Sequence, residues 1–266
     1  MSALAPEHLA KLKAWLSGEW GLKGEDYRDA FLDRRVAPRL AARACPDPGS
    51  YLRLLENDPA EAKVLLAKLL VPTTEFMRNP EVFAALARAL QERMGRRGWS
   101  PLRLLSAPCS TGEEAVSLAI LLEEKGMEGR IVAADRSAPA LARLASGIFG
   151  LRALEKLDSG LKERYFTVEG DRAMVAPGLR RRIFPVRLDM GWGLGGRRFH
   201  AVIMRNLFIY LTEAAQGRLL EEAGRALEPG GLLVLGRVET VGRRWRGSWR
   251  PVDADCRIYE WTGVRA

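Results

Sequence analysis

Histidine and cysteine are scarce in this 266-residue sequence. It contains two histidines, His8 and His200, and three cysteines, Cys45, Cys109 and Cys256, and none of these shows a CxxC or another metal-ligand spacing. We therefore predict neither a metal site nor a Cys–His nucleophile pair. The three widely separated cysteines are predicted to be buried thiols in a reducing compartment.

Long apolar runs are also missing. The longest candidate, Ala115 to Leu122, is interrupted by Ser117 and is far shorter than the roughly 18 to 20 residues that a membrane span requires. The N-terminal sequence MSALAPEHLAKLKAW lacks the basic region and apolar core of a signal peptide. With 47% hydrophobic and 28% charged residues, the composition is that of a globular protein. We expect it to be cytoplasmic, without membrane insertion.

The net charge of +9 is unevenly spread along the chain. Residues 151–200 carry eleven basic and six acidic side chains, including the run Arg180–Arg182. Such a stretch can meet an anionic protein or a nucleic acid, or it can be a solvated face. Because no RNP, zinc-finger or helix-turn-helix signature is present, no nucleic-acid partner is expected.

The chain has two consecutive regions that differ in the spacing of their apolar residues. Residues 1–70 place apolar side chains such as Leu9, Leu12 and Leu16 at helical spacing, which predicts a small N-terminal helical domain. In residues 71–266 short apolar strands alternate with helices, which predicts a mostly parallel sheet. The predicted strands are Leu102–Ala107, Ile131–Ala134, His200–Met204 and Gly231–Gly236, and the predicted helices are Glu113–Lys125, Pro139–Ser146 and Glu213–Leu227.

The stretch from about 165 to 189 departs from this alternation. Tyr165–Val168, Ala173–Val175 and Arg182–Leu188 have the composition of short strands, and a Gly170-Asp171 turn separates the first two. Together they predict a small antiparallel β subdomain inserted into the second domain.

A loop of mostly small residues, Ala107 to Glu114, follows the first predicted strand, where an open α/β sheet binds its ligand. The helix that begins there offers unpaired N–H groups. With only Gly112, the loop is not the dinucleotide fingerprint. Asp135 ends the second strand 23 residues beyond Gly112, close to the roughly 20 expected for an acid that binds ribose hydroxyls. The alternative, a cap for the next helix, fits Ser137 better.

Five segments, in this order, resemble motifs of the CheR-type chemotaxis receptor methyltransferases, a family of glutamate O-methyltransferases. They are TTEFMRNP (Thr73–Pro80), SAPCSTGEEAVS (Ser106–Ser117), Ala134-Asp135 with Ala140–Phe149, RNLFIY (Arg205–Tyr210), and Leu227–Gly236 with Val238-Glu239-Thr240. The resemblance implies an α/β, Rossmann-like class I methyltransferase fold with an N-terminal helical domain. It also implies S-adenosylmethionine as the cofactor and S-adenosylhomocysteine as its product.

The same resemblance implies roles for individual residues. Arg78 would bind the substrate carboxylate, and Tyr210 would donate a hydrogen bond beside the methyl group. The alternative interpretations are that Arg78 is an ordinary arginine at the start of a helix and that Tyr210 is a core aromatic residue. The resemblance implies cofactor contacts at Thr74, Arg78, Glu114, Asp135, Leu188, Arg205 and Asn206. From the loop after the first strand, we also expect Ala107 and Gly112 to contact the cofactor. The implied reaction is methyl transfer to glutamate side chains of a chemoreceptor, which needs no catalytic base because these carboxylates are already ionised.

Two positions depart from the family pattern, which has asparagine where this chain has Pro72 and Arg187. Pro72 offers neither an amide side chain nor a backbone donor, and the Arg187 side chain cannot accept a hydrogen bond from an adenine amino group. These two departures leave open a degenerate homologue that binds cofactor or receptor without turnover. The basic composition, with a sequence pI of about 9.8, leaves open a class I methyltransferase acting on RNA or a small molecule.

The partner that the resemblance implies is the cytoplasmic domain of a methyl-accepting chemoreceptor. It would contact the helical domain and the run Arg180–Arg182. The sequence does not decide whether the insertion also binds a receptor C-terminal peptide. The oligomeric state stays open as well, with a monomer as one reading.

Overall fold

The structure, a computed structural model, describes residues 4–70, 74–188 and 198–263. The chain divides into two compact units: the first comprises Met1–Pro72 and Tyr210–Gln216, and the second comprises Thr73–Ile209 and Gly217–Ala266. Within the described ranges, none of the helices has the length and apolarity needed to cross a bilayer. In the same ranges no cluster of His, Cys, Asp or Glu is arranged to hold a metal ion.

Helices form the first unit, as the sequence predicts. They are α1 (Pro6–Trp20), α2 (Asp29–Ala42), α3 (Pro48–Asn57) and α4 (Pro59–Leu69). Both α3 and α4 begin with a proline that follows an aspartate, and the carboxylates of Asp47 and Asp58 accept hydrogen bonds from backbone N–H groups of the first turn. Leu9, Leu12 and Leu16 of α1 are buried in the core of this unit.

A buried polar network joins three of these helices. Arg39 of α2 donates from Nε to Oε1 of Glu61 on α4 at 2.8 Å, and the Tyr51 hydroxyl of α3 donates to the same oxygen at 2.7 Å. The hydrogen-bonded Arg39 guanidinium lowers the pKa of Glu61, whereas burial raises the pKa of Tyr51. Because each group satisfies the others, the network fixes how the three helices pack.

The second unit alternates strands and helices. Its strands are β1 (Leu102–Ser106), β2 (Gly129–Asp135), β3 (Ile148–Gly150), β4 (Phe166–Glu169), β5 (Arg172–Val175), β6 (Ile183–Arg187), β7 (Phe199–Met204), β8 (Leu227–Leu235), β9 (Trp249–Asp253) and β10 (Ile258–Trp261). The helices that follow α4 are α5 (Pro80–Arg97), α6 (Glu113–Glu124), α7 (Ala138–Ser146), α8 (Ser159–Tyr165), α9 (Pro177–Arg180) and α10 (Glu213–Ala226).

A seven-stranded sheet, in the order β6-β2-β1-β7-β8-β10-β9, forms the centre of this unit. The five strands from β6 to β8 are parallel, and β10 and β9 add an antiparallel edge. Because β1 lies between β2 and β7, the strand order reverses at β1; open α/β sheets bind their ligands at the carboxyl ends of the strands at such a point. The predicted Rossmann-like architecture is confirmed.

A second, three-stranded antiparallel sheet has the order β3-β5-β4. The prediction that Arg182–Leu188 belongs to this insertion is wrong, because β6 (Ile183–Arg187) pairs in parallel with β2 at the edge of the main sheet. Pro185 lacks a backbone donor and so suits an edge strand. The third strand of the small sheet is instead Ile148–Gly150, which pairs with Arg172–Met174.

Candidate functional site

The loop after β1 is tied to the carboxyl ends of both neighbouring strands. The backbone N–H of Ala107 donates to the Ile203 carbonyl of β7 at 2.9 Å, and that of Cys109 donates to the Ala134 carbonyl of β2 at 2.8 Å. The loop therefore lies across the point where the strand order reverses, which is where an open α/β sheet binds its ligand.

Gly112 is the N-cap residue of α6, and the fold leaves no room for a side chain there. Its φ is +100°, in the region that favours glycine, and a Cβ would lie 2.3 Å from Cδ1 of Leu144 on α7. The glycine thus lets α6 and α7 approach each other closely beneath the loop.

We expect Gly112→Ala to destabilise the protein by about 2–4 kcal/mol, because it combines a disfavoured φ with overpacking. Gly126→Ala is the matched control: φ is +60° there, but nothing lies within 4 Å of the added Cβ, so we expect a loss of only about 1 kcal/mol. Urea unfolding of both variants measures the difference. Equal losses would contradict the close contact with Leu144.

Asp135 is 8% exposed at the end of β2 and orients the loop. Its Oδ2 accepts from the Ser110 N–H and its Oδ1 from the Ser137 N–H, both at 2.8 Å. Ser137, in turn, caps α7, as the sequence predicts. A carboxylate offers about four acceptor positions, so Asp135 keeps acceptor capacity for a vicinal diol.

The end of β6 lies beside the same aspartate. Arg187 is the parallel-sheet partner of Asp135, and the N–H of Leu188 donates to the Asp135 carbonyl at 3.0 Å. Leu188 is half-buried, whereas Arg187 is exposed. The backbone register therefore places Leu188 beside Asp135. Pro72, the other departure from the family pattern, lies outside the described residues.

A buried arginine at the end of β7 joins three parts of the chain. The Arg205 Nη2 donates to the Arg78 carbonyl at 2.8 Å and to Oδ1 of Asn79 at 2.9 Å, and its Nη1 lies 3.4 Å from Oε2 of Glu114. Glu114 also accepts from the Ser106 hydroxyl at 2.7 Å. Arg78, Glu114 and Arg205, which are far apart in sequence, are thus brought together.

Charge and burial act against each other at Glu114. Burial raises the pKa of its carboxyl group, and the positive charges of Arg205 and Arg78 oppose that rise. Arg205 itself is only 7% exposed, and its guanidinium carbon lies 5.6 Å from the centroid of the Phe83 ring. Among the described residues, its Nε has no hydrogen-bond partner. A buried donor of this kind can serve a ligand.

The segment that carries Arg78 is held in a strained backbone conformation. Met77 and Asn79, which flank Arg78, have φ values of +50° and +61°. The Met77 N–H donates to the Ser117 hydroxyl of α6 at 2.8 Å, and Thr74 is half-buried at the start of the segment. Non-glycine residues with positive φ are costly and often occur at functional sites. Here two of them flank the arginine predicted to bind substrate.

Glu239 accepts hydrogen bonds from the turn that follows Arg205, although the sequence reasoning gave it no role. Its carboxylate is 3% exposed and accepts from the N–H groups of Asn206, Gly236 and Ile209. Asn206, a predicted cofactor contact, has a φ of +60°. The only sequence signal for Glu239 was its place in the Val238-Glu239-Thr240 motif.

Tyr210, the second predicted catalytic residue, belongs to the first unit. Its ring centroid lies 4.6 Å from that of Phe31, and its carbonyl accepts from the Arg28 N–H at 2.9 Å. An isolated antiparallel bridge between Tyr27 and Leu211 adjoins this contact. In its own unit, Tyr210 therefore packs as an aromatic residue against α2.

Comparisons with protein-family models give two matches in sequence order. Residues 7–70 match the all-alpha domain of CheR methyltransferases, and residues 72–254 match their SAM-binding domain. These two matches follow the division into a helical N-terminal region and an α/β region that the sequence predicts.

Curated relatives carry methyltransferase names. The chain is 32% identical over 231 residues to the probable biofilm formation methyltransferase WspC of Pseudomonas aeruginosa, covering 84% of the chain and 55% of the relative. It is 34% identical to WspC of Pseudomonas putida (82% and 53%) and 30% identical to chemotaxis protein methyltransferase 2 of P. aeruginosa (77% and 76%). The chain thus spans about half the length of the two WspC proteins.

Solved structures with a similar fold include the glycopeptide N-methyltransferase MtfA complexed with S-adenosyl-L-methionine. The match has a TM-score of 0.34 and 22% identity, and it covers 57% of this chain and 53% of that one.

Proposed function

Since the chain belongs to the CheR methyltransferase family, we propose that it transfers the methyl group of S-adenosylmethionine to glutamate side chains of a chemoreceptor. The predictions of the family and of this cofactor are confirmed by the match to the SAM-binding domain. The receptor substrate, the residue roles and action in the cytoplasm belong to the proposal.

The observation that carries the proposal is the Arg205 contact with the Arg78 carbonyl, together with the loop after β1 that Asp135 orients. Two groups among these residues fit the cofactor: acceptor capacity on Asp135 for ribose hydroxyls, and the buried Nε of Arg205 as a donor. We propose that the cofactor is held by Thr74, Arg78, Ala107, Gly112, Glu114, Asp135, Leu188, Arg205 and Asn206.

The chemistry needs alignment and partial desolvation, because a glutamate carboxylate, with a pKa of about 4.3, is already a nucleophile at neutral pH. When bound, the cofactor supplies an electrophilic methyl group on a sulfonium. Arg78 is proposed to orient the substrate carboxylate in line with that methyl group, because a guanidinium pairs with a carboxylate in a directional, bidentate way. On the resemblance alone, Tyr210 is proposed as a nearby hydrogen-bond donor.

The acidic receptor partner is supported by the basic run in the second unit. Arg182 is already engaged internally, since its Nη2 donates to Glu123 at 2.6 Å and its Nη1 to the Met127 carbonyl. Arg180 and Arg181 are exposed, and Nη2 of Arg180 also donates to the Ala145 carbonyl at 3.0 Å. We therefore propose Arg180 and Arg181 as the part of this run that meets receptor carboxylates.

The test is methyl transfer from labelled S-adenosylmethionine to cytoplasmic fragments of chemoreceptors from the same cell. We expect base-labile label on wild-type fragments, because carboxyl methyl esters are hydrolysed by base, and no label on fragments whose acceptor glutamates are alanine. Cofactor binding without label on any receptor would favour the degenerate homologue. Label on RNA or a small molecule instead would favour a different methyltransferase substrate.

A further inference from the structure

Glu239 is buried in the second unit beside the turn that follows β7. We infer that it is a positioning residue: it fixes the turn that bears Arg205 and Asn206, and so sets the affinity for S-adenosylmethionine. This inference rests on the proposed function, because Arg205 and Asn206 are cofactor contacts only within that proposal.

The carboxylate of Glu239 gathers backbone donors from two separate parts of the chain. Its Oε2 accepts from the Asn206 N–H at 2.9 Å and from the Gly236 N–H at 2.6 Å, and its Oε1 accepts from the Ile209 N–H at 3.3 Å. Two of these donors lie in the turn and one lies at the end of β8. Glu239 thereby ties the turn to the neighbouring strand of the sheet.

The turn needs these hydrogen bonds because its backbone includes a residue in a disfavoured, positive-φ conformation. Asn206 has a φ of +60°, which non-glycine residues adopt at a cost unless the surroundings hold them there. The preceding residue, Arg205, supplies the guanidinium that contacts the Arg78 carbonyl. A relaxed turn would therefore move both Arg205 and Asn206 relative to the loop after β1.

Gly236 provides independent support for this arrangement. A Cβ at Gly236 would lie 2.6 Å from Oε2 of Glu239 and 3.0 Å from the backbone nitrogen and the Nδ2 of Asn206. The residue that follows β8 thus lacks a side chain, which leaves room for the carboxylate and the turn to meet.

The test substitutes Glu239→Gln, which keeps the size of the side chain but replaces one acceptor oxygen with a donor that faces backbone N–H groups. We expect the dissociation constant of S-adenosylhomocysteine, measured by calorimetry, to rise roughly tenfold. In a methylation assay, KM for S-adenosylmethionine should rise by a similar factor, with a smaller change in kcat.

The matched control is Glu260→Gln, because Glu260 is also a buried carboxylate, but it pairs with the guanidinium groups of Arg93 and Arg250. We expect this control to lower the melting temperature and to leave the dissociation constant within about twofold of wild type. Equal rises in the dissociation constant for both variants would overturn the inference, since general destabilisation would then explain the effect.

Gly236→Ala tests the same contact from the other side. If Glu239 acts through this turn, Gly236→Ala should also weaken binding, and the double variant should bind little worse than either single variant. Unchanged binding in folded Glu239→Gln would overturn the inference even if the wild type methylates receptors. If the wild type binds S-adenosylhomocysteine but methylates no receptor, the proposed function fails while the binding comparison still decides the role of Glu239.

Discussion

Asp135→Asn is expected to weaken binding of S-adenosylhomocysteine by about 100-fold. Both carboxylate oxygens of Asp135 accept backbone N–H groups, so an amide would place its NH₂ against either Ser110 or Ser137. The substitution also removes the charge that is proposed to bind the ribose hydroxyls. Losing the two charge-assisted hydrogen bonds proposed to the ribose hydroxyls, at about 1.5 kcal/mol each, costs roughly 3 kcal/mol of binding free energy. This corresponds to about two orders of magnitude in affinity.

Calorimetry with S-adenosylhomocysteine measures this effect, and Asp253→Asn is the matched control. The carboxylate of Asp253 also accepts a backbone N–H, from Cys256 at 2.9 Å, in a turn after β9. We expect the control to change the dissociation constant less than about twofold. An Asp135→Asn protein that is folded and binds with wild-type affinity would refute the ribose role.

Arg78→Lys is expected to lower kcat/KM for methyl transfer roughly 30- to 100-fold and to weaken S-adenosylhomocysteine binding less, because lysine keeps the positive charge at this proposed cofactor contact. The segment around Arg78 is held through its backbone, since the Arg205 guanidinium binds the Arg78 carbonyl and Ser117 binds the Met77 N–H. The substitution therefore leaves the backbone contacts in place. It removes the planar guanidinium, whose two parallel N–H donors are proposed to orient the substrate carboxylate.

Single-turnover transfer to a receptor fragment measures the loss at Arg78, and a binding titration runs beside it. Arg96→Lys is the control, because Arg96 lies on α5, its side chain is 77% exposed, and it forms an ion pair with Glu92 one turn earlier on the same helix. We expect this control to keep wild-type kinetics. An Arg78→Lys enzyme with undiminished transfer would show that substrate alignment comes from another group.

The alternation of apolar strands and helices was sufficient to predict most of the second unit. Strand β1 begins at Leu102 as predicted, helix α6 begins at Glu113, and β2 ends at Asp135. Predictions of this kind succeed because the side-chain periods of helices and buried strands are local properties of the sequence. The motifs likewise identified the family, since each is a short continuous segment.

Pairing between distant segments was not predictable in the same way. The segment Ile183–Arg187 has the same strand composition whether it joins the small sheet or the edge of the main one, and only its register with β2 decides between them. Strand β8 begins at Leu227 because the Glu228-Pro229-Gly230 stretch is accommodated as an irregularity against β7. Local propensity does not encode which neighbour a strand will find.

By itself, the sequence determined the order of helices and strands, the position of Asp135 at a strand end, and the family to which the chain belongs. Only the tertiary structure decided that the Arg205 guanidinium contacts the Arg78 carbonyl, 127 residues away in sequence, and that Glu239 holds the turn at Asn206. The physical reason is that both contacts use backbone atoms. Every residue has the same carbonyl and, proline excepted, the same N–H group, so these contacts leave no signature in the side chains.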